Sequence, residues 1–361
     1  MPTKDEKLAE ERFLKTLRMV APGTALHEGL ESIIRARTGA LIVIGDSPQV
    51  IGLVNGGFRL DCEMNSSRLY ELSKMDGAIV LSSDAKRILI ANAQLLPDSS
   101  IPSEETGTRH RTAERVAKQT GELVIAISQR RNVITLYKGT IKYVIRDVGV
   151  TLAKANQALQ TLEKYRAVLD RALANLSALE FENLVTLVDV ATALQRVEMV
   201  RRVAHEIEKY ICELGTEGRL ISMQLEELMV DVEDEGLLII EDYLAPGGTK
   251  TAEAVEDEMD SWSQEDLLDL ELVCRSLGYS DNIGLLDRPV SPKGYRILSK
   301  IPRLPMPIIT NLVGTFGNLQ GVLNASIEEL DGVEGIGEVR ARAIKDGLRR
   351  LREQVYLERH L

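Results

Sequence analysis

The segment Gly39-Ala40-Leu41-Ile42-Val43-Ile44-Gly45 is a continuous apolar run that is closed at both ends by glycine. A strand of this composition is buried on both faces, because it has no polar side to turn towards water. The sheet that contains it therefore needs helices above and below.

Further helices and strands are predicted on both sides of this run. Residues 5–36 predict two helices that are separated by Pro22-Gly23, with Thr24 as the N-cap of the second. Beyond the run, the pattern predicts helices at Ser66–Met75 and Thr112–Gly121, and strands at Gly77–Leu81, Arg87–Ala91, Leu123–Ile127, Val133–Tyr137 and Ile141–Ile145. Residues 1–147 thus predict an α/β domain in which a mixed sheet is sandwiched by helices.

Composition limits the class of protein. A chain of 361 residues predicts two or three domains, because single cores rarely grow past roughly 250 residues. Apolar residues make up 44% and charged residues 27%, and the apolar runs are too short to span a bilayer. No signal peptide is recognisable at Met1–Lys7, so we expect a cytoplasmic protein without membrane contact. The scattered cysteines (Cys62, Cys212 and Cys274) and histidines argue against disulfides and against a His/Cys metal cage.

Charge is distributed unevenly along the chain, whose net charge is −11. Between Ile211 and Glu271 there are 19 acidic residues against only Arg219 and Lys250. From Lys293 to Leu361 the balance reverses, with 11 basic and 8 acidic residues. A basic end on an acidic chain suggests contact with nucleic acid at that end.

The middle of the chain predicts an all-α region. Apolar residues recur at heptad positions, with an interruption at Arg166, in the series Leu152, Ala155, Leu159, Leu162, Leu169, Leu173 and Leu176. Further helices are expected at Phe181–Leu214, Leu220–Asp234 and Ser263–Leu277, with a break at Pro246–Thr249. This region is interpreted as a spacer that packs upon itself, although its leucine stripe could equally form a subunit interface. The proline-rich segment Pro289–Pro307 marks a boundary, which gives domains at 1–147, 148–288 and 289–361.

The loop Thr106-Gly107-Thr108-Arg109-His110-Arg111-Thr112 places three basic side chains in the first turn of a helix. A helix start carries free N–H groups and partial positive charge, so it favours anions and repels arginine. Bound polyphosphate would explain the arrangement, since it uses both the N–H groups and the guanidiniums. Alternatively, Arg109 and Arg111 pair with carboxylates of this acidic chain.

Asp76-Gly77-Ala78 precedes a predicted core strand. An Asp-Gly pair is often a plain turn. Together with the Arg109 loop, however, a carboxylate at a neighbouring element end could hold Mg²⁺ on a nucleotide triphosphate.

The C-terminal segment from Leu330 to Ile344 predicts a short helix, a hairpin at Gly335-Ile336-Gly337 and a second helix. Its glycines let backbone N–H groups approach a phosphate, and cations flank them. The candidate DNA-binding residues are Gly335, Gly337, Arg340, Arg342 and Lys345. This pattern resembles a helix-hairpin-helix motif, which in its family binds DNA backbones without reading sequence. Ile301–Gly317 resembles a degenerate first copy that has lost the Gly-x-Gly.

Taken in order, the Asp76-Gly77-Ala78 motif, the Thr108–Thr112 motif, the helical middle and the helix-hairpin-helix end resemble the DNA integrity scanning family of bacterial diadenylate cyclases. The resemblance covers essentially the whole chain. It implies condensation of two ATP into cyclic di-AMP with release of two pyrophosphates, dependent on Mg²⁺ or Mn²⁺. It also implies a homo-octamer with catalytic domains face to face, located at the nucleoid and inhibited by branched or damaged DNA.

The resemblance assigns roles to individual residues. Asp76 is expected to bind the metal and activate the attacking hydroxyl, and Arg109, His110 and Arg111 to act on the phosphates. The expected ATP contacts are Gly77, Leu95, Thr108, Arg109, His110, Arg111, Thr112 and Ser128.

Two alternatives stay open. The chain could be a DNA-binding repair scaffold that senses ATP without turnover, or a nucleotidyltransferase that uses another acceptor.

Overall fold

A computed structural model describes residues 13–280 and 284–359. These residues form two compact units. The sheet unit contains residues 13–157 and 207–223, and the helical unit contains residues 158–206, 224–280 and 284–359. The division falls inside three helices, so the domain limits at 147 and 288 stay predictions. None of the described helices is both long and apolar enough to cross a membrane.

The sheet unit is built on one mixed sheet. Its strands are β1 (Ala40–Ile44), β2 (Val54–Asn55), β3 (Phe58–Glu63), β4 (Ala78–Leu81), β5 (Arg87–Leu95), β6 (Leu123–Ser128), β7 (Val133–Lys138) and β8 (Ile141–Val144). They lie in the order β2-β5-β4-β1-β6-β7-β8, with β3 also paired to β5. β1 runs parallel to β4, and the other pairs are antiparallel. The inner position of β1 confirms the prediction made from its apolar run.

Helices cover both faces of this sheet. They are α1 (residues 13–20), α2 (Ala25–Arg35), α3 (Pro48–Gly52), α4 (Ser66–Ser73) and α5 (Thr108–Thr120). The Thr24 hydroxyl accepts a hydrogen bond from the His27 N–H at 3.1 Å, which confirms Thr24 as the N-cap of α2. Residues 5–12 of the first predicted helix lie outside the described residues.

Alternate residues of the central strands enter two separate cores. Ile42 of β1 packs in the core that contains Leu30 of α2, whereas Val43 packs in the core that contains Val116 of α5. Ile42 and Val43 are both fully buried, as a strand covered on two faces requires.

Three elements between β1 and α4 were not predicted, namely α3, β2 and β3. Five of the six β3 residues are exposed, and Phe58 keeps 56% of its surface accessible. β3 pairs only with β5 among the described strands, so it lacks the buried alternation from which a strand is recognised.

The middle region is helical, as predicted. Its elements are α6 (Val148–Glu182), α7 (Leu187–Leu214), a 3₁₀ turn (Gly215–Gly218), α8 (Arg219–Met229), α9 (Val232–Tyr243), α10 (Ala252–Asp260), α11 (Gln264–Leu268) and α12 (Leu270–Ser276). Leu162, Leu169 and Leu176 are buried within this single chain, which supports a region that packs upon itself.

The single helix predicted over Leu220–Asp234 is wrong. The chain breaks between α8 and α9 at Asp231, whose φ of 61° is left-handed. The Arg166 guanidinium donates to the carbonyls of Leu228 at 2.9 Å and Val230 at 2.8 Å. Arg166, the residue that interrupts the leucine stripe, therefore satisfies carbonyls that the end of α8 leaves free.

The single helix predicted over Ser263–Leu277 is also wrong. Asp269 has an extended backbone between α11 and α12, and its carboxylate accepts hydrogen bonds from the N–H groups of Glu271 and Leu272. The aspartate thus ends one helix and caps the next, which an apolar periodicity does not reveal.

The C-terminal part contains two helix-hairpin-helix copies. Their elements are α13 (Tyr295–Ser299), α14 (Met306–Phe316), a connecting α15 (Leu319–Asn324), α16 (Ile327–Asp331) and α17 (Glu338–Arg359). In the first hairpin the Leu304 N–H donates to Ile301 at 3.3 Å, and in the second the Ile336 N–H donates to Val333 at 3.0 Å. Arg303, with a φ of 62°, takes the place of a glycine, so the degenerate copy keeps the hairpin's backbone geometry.

A buried ion-pair network joins α13 to two helices of the middle region, α6 and α9, within the helical unit. Arg296 has no solvent-accessible surface, and its guanidinium pairs with Glu180 of α6 and with Glu235 of α9 at 3.2 Å. It also donates to the Ser177 hydroxyl at 2.9 Å, and the Tyr243 hydroxyl donates to Glu180 at 2.9 Å. These partners compensate for the cost of removing the charges from water.

Candidate active site and nucleic-acid interface

The start of α5 is a helix terminus without a protein cap. Gly107 occupies the N-cap position with no side-chain hydrogen bond, and the first turn contains no acidic residue. The Arg111 N–H already bonds to the Gly107 carbonyl at 2.9 Å, as the helix requires. The earlier N–H groups of Thr108, Arg109 and His110 are the donors that an uncapped helix directs towards an anion.

Arg109 extends from α5 to the end of β6. Its Nη1 donates to the Ile127 carbonyl at 3.5 Å, and Ile127 pairs with Ala40 at the start of β1. Gly39 makes room for this guanidinium, because a Cβ there would lie 1.9 Å from Arg109 Nη1. The start of β1 therefore helps to position Arg109, a candidate phosphate-binding residue.

Replacing Gly39 by alanine is expected to displace the Arg109 guanidinium and weaken binding of an ATP analogue by about tenfold, the value of one charge-assisted hydrogen bond. Stability should fall modestly, because the end of the Arg109 side chain can move aside but the Ile127 carbonyl oxygen, 3.1 Å from that Cβ, belongs to the backbone. Calorimetry should be compared with Gly52→Ala, whose Cβ would meet nothing within 4 Å. Equal affinities for the two variants would exclude this role of Gly39.

Arg111 turns back to the loop that precedes α5. Its Nε donates to the Glu105 carbonyl at 3.2 Å and its Nη2 to the Thr106 carbonyl at 3.3 Å. Among the described residues, no carboxylate forms an ion pair with Arg109 or Arg111, so pairing with the protein's own acids does not account for them.

His110 is half-buried beside Tyr137 of β7, with ring centroids 6.4 Å apart in an edge-to-face arrangement. Burial lowers the pKa of His110, the Glu105 carboxylate raises it, and the cations of Arg109, Arg131 and Lys142 lower it further. The net pKa lies below the ordinary histidine value, which favours the neutral ring in the free site.

Asp76 and Gly77 lie in the turn before β4. The Gly77 N–H donates to the Asn92 Oδ1 at 3.1 Å, and a Cβ on Gly77 would lie 2.3 Å from the Asn92 carbonyl carbon. Only glycine fits this approach of two backbones. The Asp76 side chain is exposed, and within the described residues its carboxylate has no hydrogen-bond or ion-pair partner.

Sheet topology brings the candidate residues to one edge, by which we mean the end of the sheet where β1 and β4 begin. β1 and β4 are parallel, so Gly39 and Gly77 lie together where these strands begin. β5 and β6 run the opposite way and end at this edge, with Leu95 and Ser128 as their last residues. Strands lie about 4.8 Å apart, so the starts of β4 and β1 and the end of β6 fall within about 10 Å. The carboxylate and the cationic helix start thus lie at the same edge of one sheet.

The remaining predicted contacts differ in exposure. Leu95 is buried and pairs with Val54 of β2. Thr112 is half-buried in α5, and the Ser128 hydroxyl accepts a hydrogen bond from the Arg131 N–H at 3.2 Å. Of these three, Ser128 lies next to the carbonyl that holds Arg109.

The donor set at this edge suits a cation that arrives with phosphate. Among residues 13–280 and 284–359, no group of three or more His, Cys, Asp or Glu side chains could hold a metal ion. Asp76 alone offers one hard oxygen donor, and Mg²⁺ is typically bound by one or two carboxylates together with substrate phosphates and water. The residues therefore fit a metal–nucleotide complex rather than a resident metal.

The second hairpin presents a backbone surface at the start of α17. Gly335 has a φ of 81°, and a Cβ there would lie 2.5 Å from Ile308. Arg340 donates to the Gly335 carbonyl, and the exposed Arg342 pairs with Glu338. The Lys345 ammonium donates to the Leu323 carbonyl at 2.8 Å, so it also holds α15 in place.

The residues that shape the site but were not predicted from sequence include Glu105, Tyr137, Asn92 and Gly39. Tyr137 gave one usable signal, since a buried tyrosine hydroxyl in an apolar strand needs a hydrogen-bond partner. Glu105 is that partner, at 2.8 Å. Nothing in the local pattern marked Asn92, whose φ of 52° follows from its position in a strand irregularity opposite β4.

Family comparisons cover the same regions. A family model described as DisA bacterial checkpoint controller nucleotide-binding matches residues 27–141, and one described as DisA bacterial checkpoint controller linker region matches residues 145–286. A helix-hairpin-helix motif matches residues 318–347. The uncapped α5 start and Asp76 lie in the first region, and the Gly335 hairpin lies in the last.

Full-length relatives agree. The DNA integrity scanning protein DisA of Carboxydothermus hydrogenoformans is 64% identical over 96% of this chain and 99% of the relative. The proteins of the same name from Symbiobacterium thermophilum and Acetivibrio thermocellus are 63% and 58% identical, over 97% and 98% of this chain and 98% of each relative. Identity of this extent over nearly the whole of both chains shows that the chain belongs to the family of the DNA integrity scanning protein DisA.

Proposed function

We propose that the protein is a diadenylate cyclase that condenses two ATP into 3′,3′-cyclic di-AMP and two pyrophosphates. The observation that carries this proposal is the placement of the Asp76 carboxylate and the uncapped α5 start at one edge of the sheet. An unpartnered acid and a set of cationic donors are what a metal-bound triphosphate needs. The match to a nucleotide-binding family region supports the same substrate class.

The chemistry requires mainly positioning and charge neutralisation. The 3′-oxygen of one ATP forms a bond to the α-phosphorus of the other, and the bond from that phosphorus to the bridging oxygen breaks, which releases pyrophosphate. Asp76 accepts the hydroxyl proton or directs it to water, while Arg109 and His110 hold phosphate oxygens. A bound Mg²⁺ or Mn²⁺ would supply charge neutralisation beside Asp76. A second, equivalent step closes the ring.

Two copies of the sheet unit have to face each other in this reaction, because each ATP is both nucleophile and electrophile. Oligomerisation is therefore part of the proposed mechanism. We propose a homo-octamer with catalytic domains face to face, as the family resemblance implies.

The helix-hairpin-helix end is proposed to bind DNA backbones without sequence specificity, in the cytoplasm at the nucleoid. The turn offers the backbone N–H groups of Gly335 and Gly337, since that of Ile336 bonds to Val333, and α17 adds Arg340 and Arg342. Branched DNA or damaged sites are proposed to inhibit the cyclase, which would couple scanning of DNA to the nucleotide product.

Combined Arg340→Gln and Arg342→Gln substitutions are expected to weaken DNA binding and reduce the slope of log affinity against log salt by about 1 to 2, since each lost phosphate contact contributes about 0.9. Basal cyclase activity should not change. Arg275→Gln is the matched control, because Arg275 also forms an exposed i,i+4 pair, with Glu271. A salt slope identical to that of the control would remove both arginines from the DNA interface.

Mass analysis of the products formed from ATP and Mg²⁺ tests the proposal against its alternatives. Cyclic di-AMP and two equivalents of pyrophosphate are expected, with a lower yield when branched DNA is added. No turnover would favour an ATP-sensing repair scaffold. A linear or mixed product would favour a nucleotidyltransferase that uses another acceptor.

A further inference from the structure

Glu105 ties the loop before α5 to the sheet. Its carboxylate accepts a hydrogen bond from the Tyr137 hydroxyl at 2.8 Å and pairs with the Lys142 ammonium at 2.5 Å. Tyr137 and Lys142 are cross-strand partners on β7 and β8. Only 10% of the Glu105 side chain and 1% of Tyr137 are exposed, so their hydrogen bond is shielded from water, whereas Lys142 is 51% exposed and pairs from the solvent side. The Glu105 side chain is therefore held by two neighbouring strands, β7 and β8.

The backbone of the same residue is held from the other side. The Arg111 guanidinium donates to the carbonyls of Glu105 and Thr106. Glu105 therefore connects β7 and β8 to the first turn of α5, and it lies two residues before the Gly107 N-cap. A loop fixed in this way holds the uncapped N–H groups of α5 in one orientation before ligand arrives.

Tyr137 extends this connection to His110. Its ring is 1% exposed and packs edge-on against the imidazole, at an interplanar angle of 78°. The Glu105 carboxylate fixes the phenol, and the phenol in turn limits the positions that the His110 ring can occupy.

We propose that Glu105 is a positioning residue for nucleotide binding, and that it acts through Tyr137 and Lys142 to orient the phosphate-binding turn and His110. The proposal rests on the proposed function of this edge as an ATP site. It assigns to Glu105 no contact with substrate. The three residues form a clamp, here called the Glu105 clamp, that prepares the site for the triphosphate.

The clamp also affects the charge of His110. The groups that face this ring are Glu105 from the loop, Arg109 from its own helix, Arg131 from the β6–β7 turn, and Tyr137 and Lys142 from β7 and β8. Of these, the Glu105 carboxylate raises the pKa of His110, and the Lys142 ammonium lowers it. Removing the two charges should therefore shift the His110 titration in opposite directions.

The first test is steady-state kinetics. Glu105→Gln should raise the KM for ATP by about tenfold with a smaller change in kcat, because a turn that holds the phosphates acts on bound substrate and transition state alike. Tyr137→Phe should raise KM less. Matched controls are Glu213→Gln and Tyr143→Phe. These alter a second, partly buried tyrosine–carboxylate pair outside the loop, with a hydroxyl–carboxylate distance of 2.7 Å.

The second test does not require turnover. Affinity for a non-hydrolysable ATP analogue is measured by calorimetry across pH 5 to 8. Binding should strengthen as pH falls through the His110 pKa, because the ring gains charge. Glu105→Gln should move this inflection to lower pH, and Lys142→Met should move it to higher pH. The analogue's own titration is common to all variants and does not affect the comparison.

Unchanged KM and an unmoved inflection in Glu105→Gln would overturn the proposal. So would equal effects of Glu213→Gln, since these would indicate general loosening of the sheet unit. If Glu105→Gln does not fold, the KM of Tyr137→Phe and the pH inflection of Lys142→Met test the proposal instead. Neither substitution leaves a buried charge without water or a partner. Absence of cyclic dinucleotide from the unaltered protein would refute the cyclase while the binding arm still tests the clamp.

Discussion

Asp76→Asn is expected to lower the rate of cyclic di-AMP formation by at least about 10³-fold. The amide keeps the size of the side chain but removes the negative charge that would hold the cation and accept the hydroxyl proton. The carboxylate is exposed and, within the described chain, makes no hydrogen bond or ion pair, so its replacement should cost the fold little. The measurement is the initial rate with ATP and Mg²⁺, together with DNA affinity and thermal unfolding.

Asp46→Asn provides the matched control for this substitution. Asp46 is also exposed, but it follows the end of β1 and so lies at the opposite edge of the sheet, where it accepts a hydrogen bond from Ser83 at 2.6 Å. Its activity should equal that of the unaltered protein. Full activity of Asp76→Asn would remove Asp76 from the mechanism.

Arg296→Met is expected to destabilise the helical unit by about 3–5 kcal/mol, because it leaves the buried Glu180 carboxylate without its cation, whereas Glu235 keeps Lys300 at 2.7 Å. Glu180 has no exposed side-chain surface, and Glu235 keeps only 14%. Urea unfolding should show this loss in the transition of the helical unit. Adding Glu180→Leu to Arg296→Met should recover part of it, since the double variant no longer buries that unpaired charge.

Arg342→Met is the control for this second prediction. Its ion pair with Glu338 joins two side chains that are each 64% exposed, so its loss should cost about 0.5 kcal/mol or less. Equal unfolding midpoints for Arg296→Met and Arg342→Met would show that the buried network contributes no more to stability than an exposed ion pair.

The sheet could be predicted from sequence because its central strands are covered on both faces. In β1, β4 and β6 nearly every side chain is buried, so an apolar run was sufficient evidence. The short β2 and the exposed β3 lack that signal. Their position is determined by pairing with β5, which is a tertiary property.

Helix ends in the middle region were harder to predict, because polar side chains from distant residues determine them. Arg166 satisfies the carbonyls at the end of α8 from 62 and 64 positions away in sequence. Asp269 separates two helices whose apolar residues continue one periodicity. A pattern read along one segment does not contain either contact.

The candidate site, too, was predictable only where its features are local in sequence. The unusual charge of the α5 first turn was visible locally, since it breaks a rule that ordinary helices follow, and the Asp-Gly pair became informative only beside it. The contribution of Gly39 was not visible, because the arginine that it accommodates lies 70 positions further along the chain. The Glu105 clamp likewise depends on strand register, which places Tyr137 beside Lys142.

The proposed function requires that the uncapped start of α5 and Asp76 bind the same metal triphosphate. A crystal structure with a non-hydrolysable ATP analogue and Mg²⁺ would show whether they do. We expect phosphate oxygens on the N–H groups of Thr108 to His110 and on Arg109, with the cation on Asp76 and a second copy of the site opposite. An analogue bound elsewhere, or two copies that point apart, would contradict it.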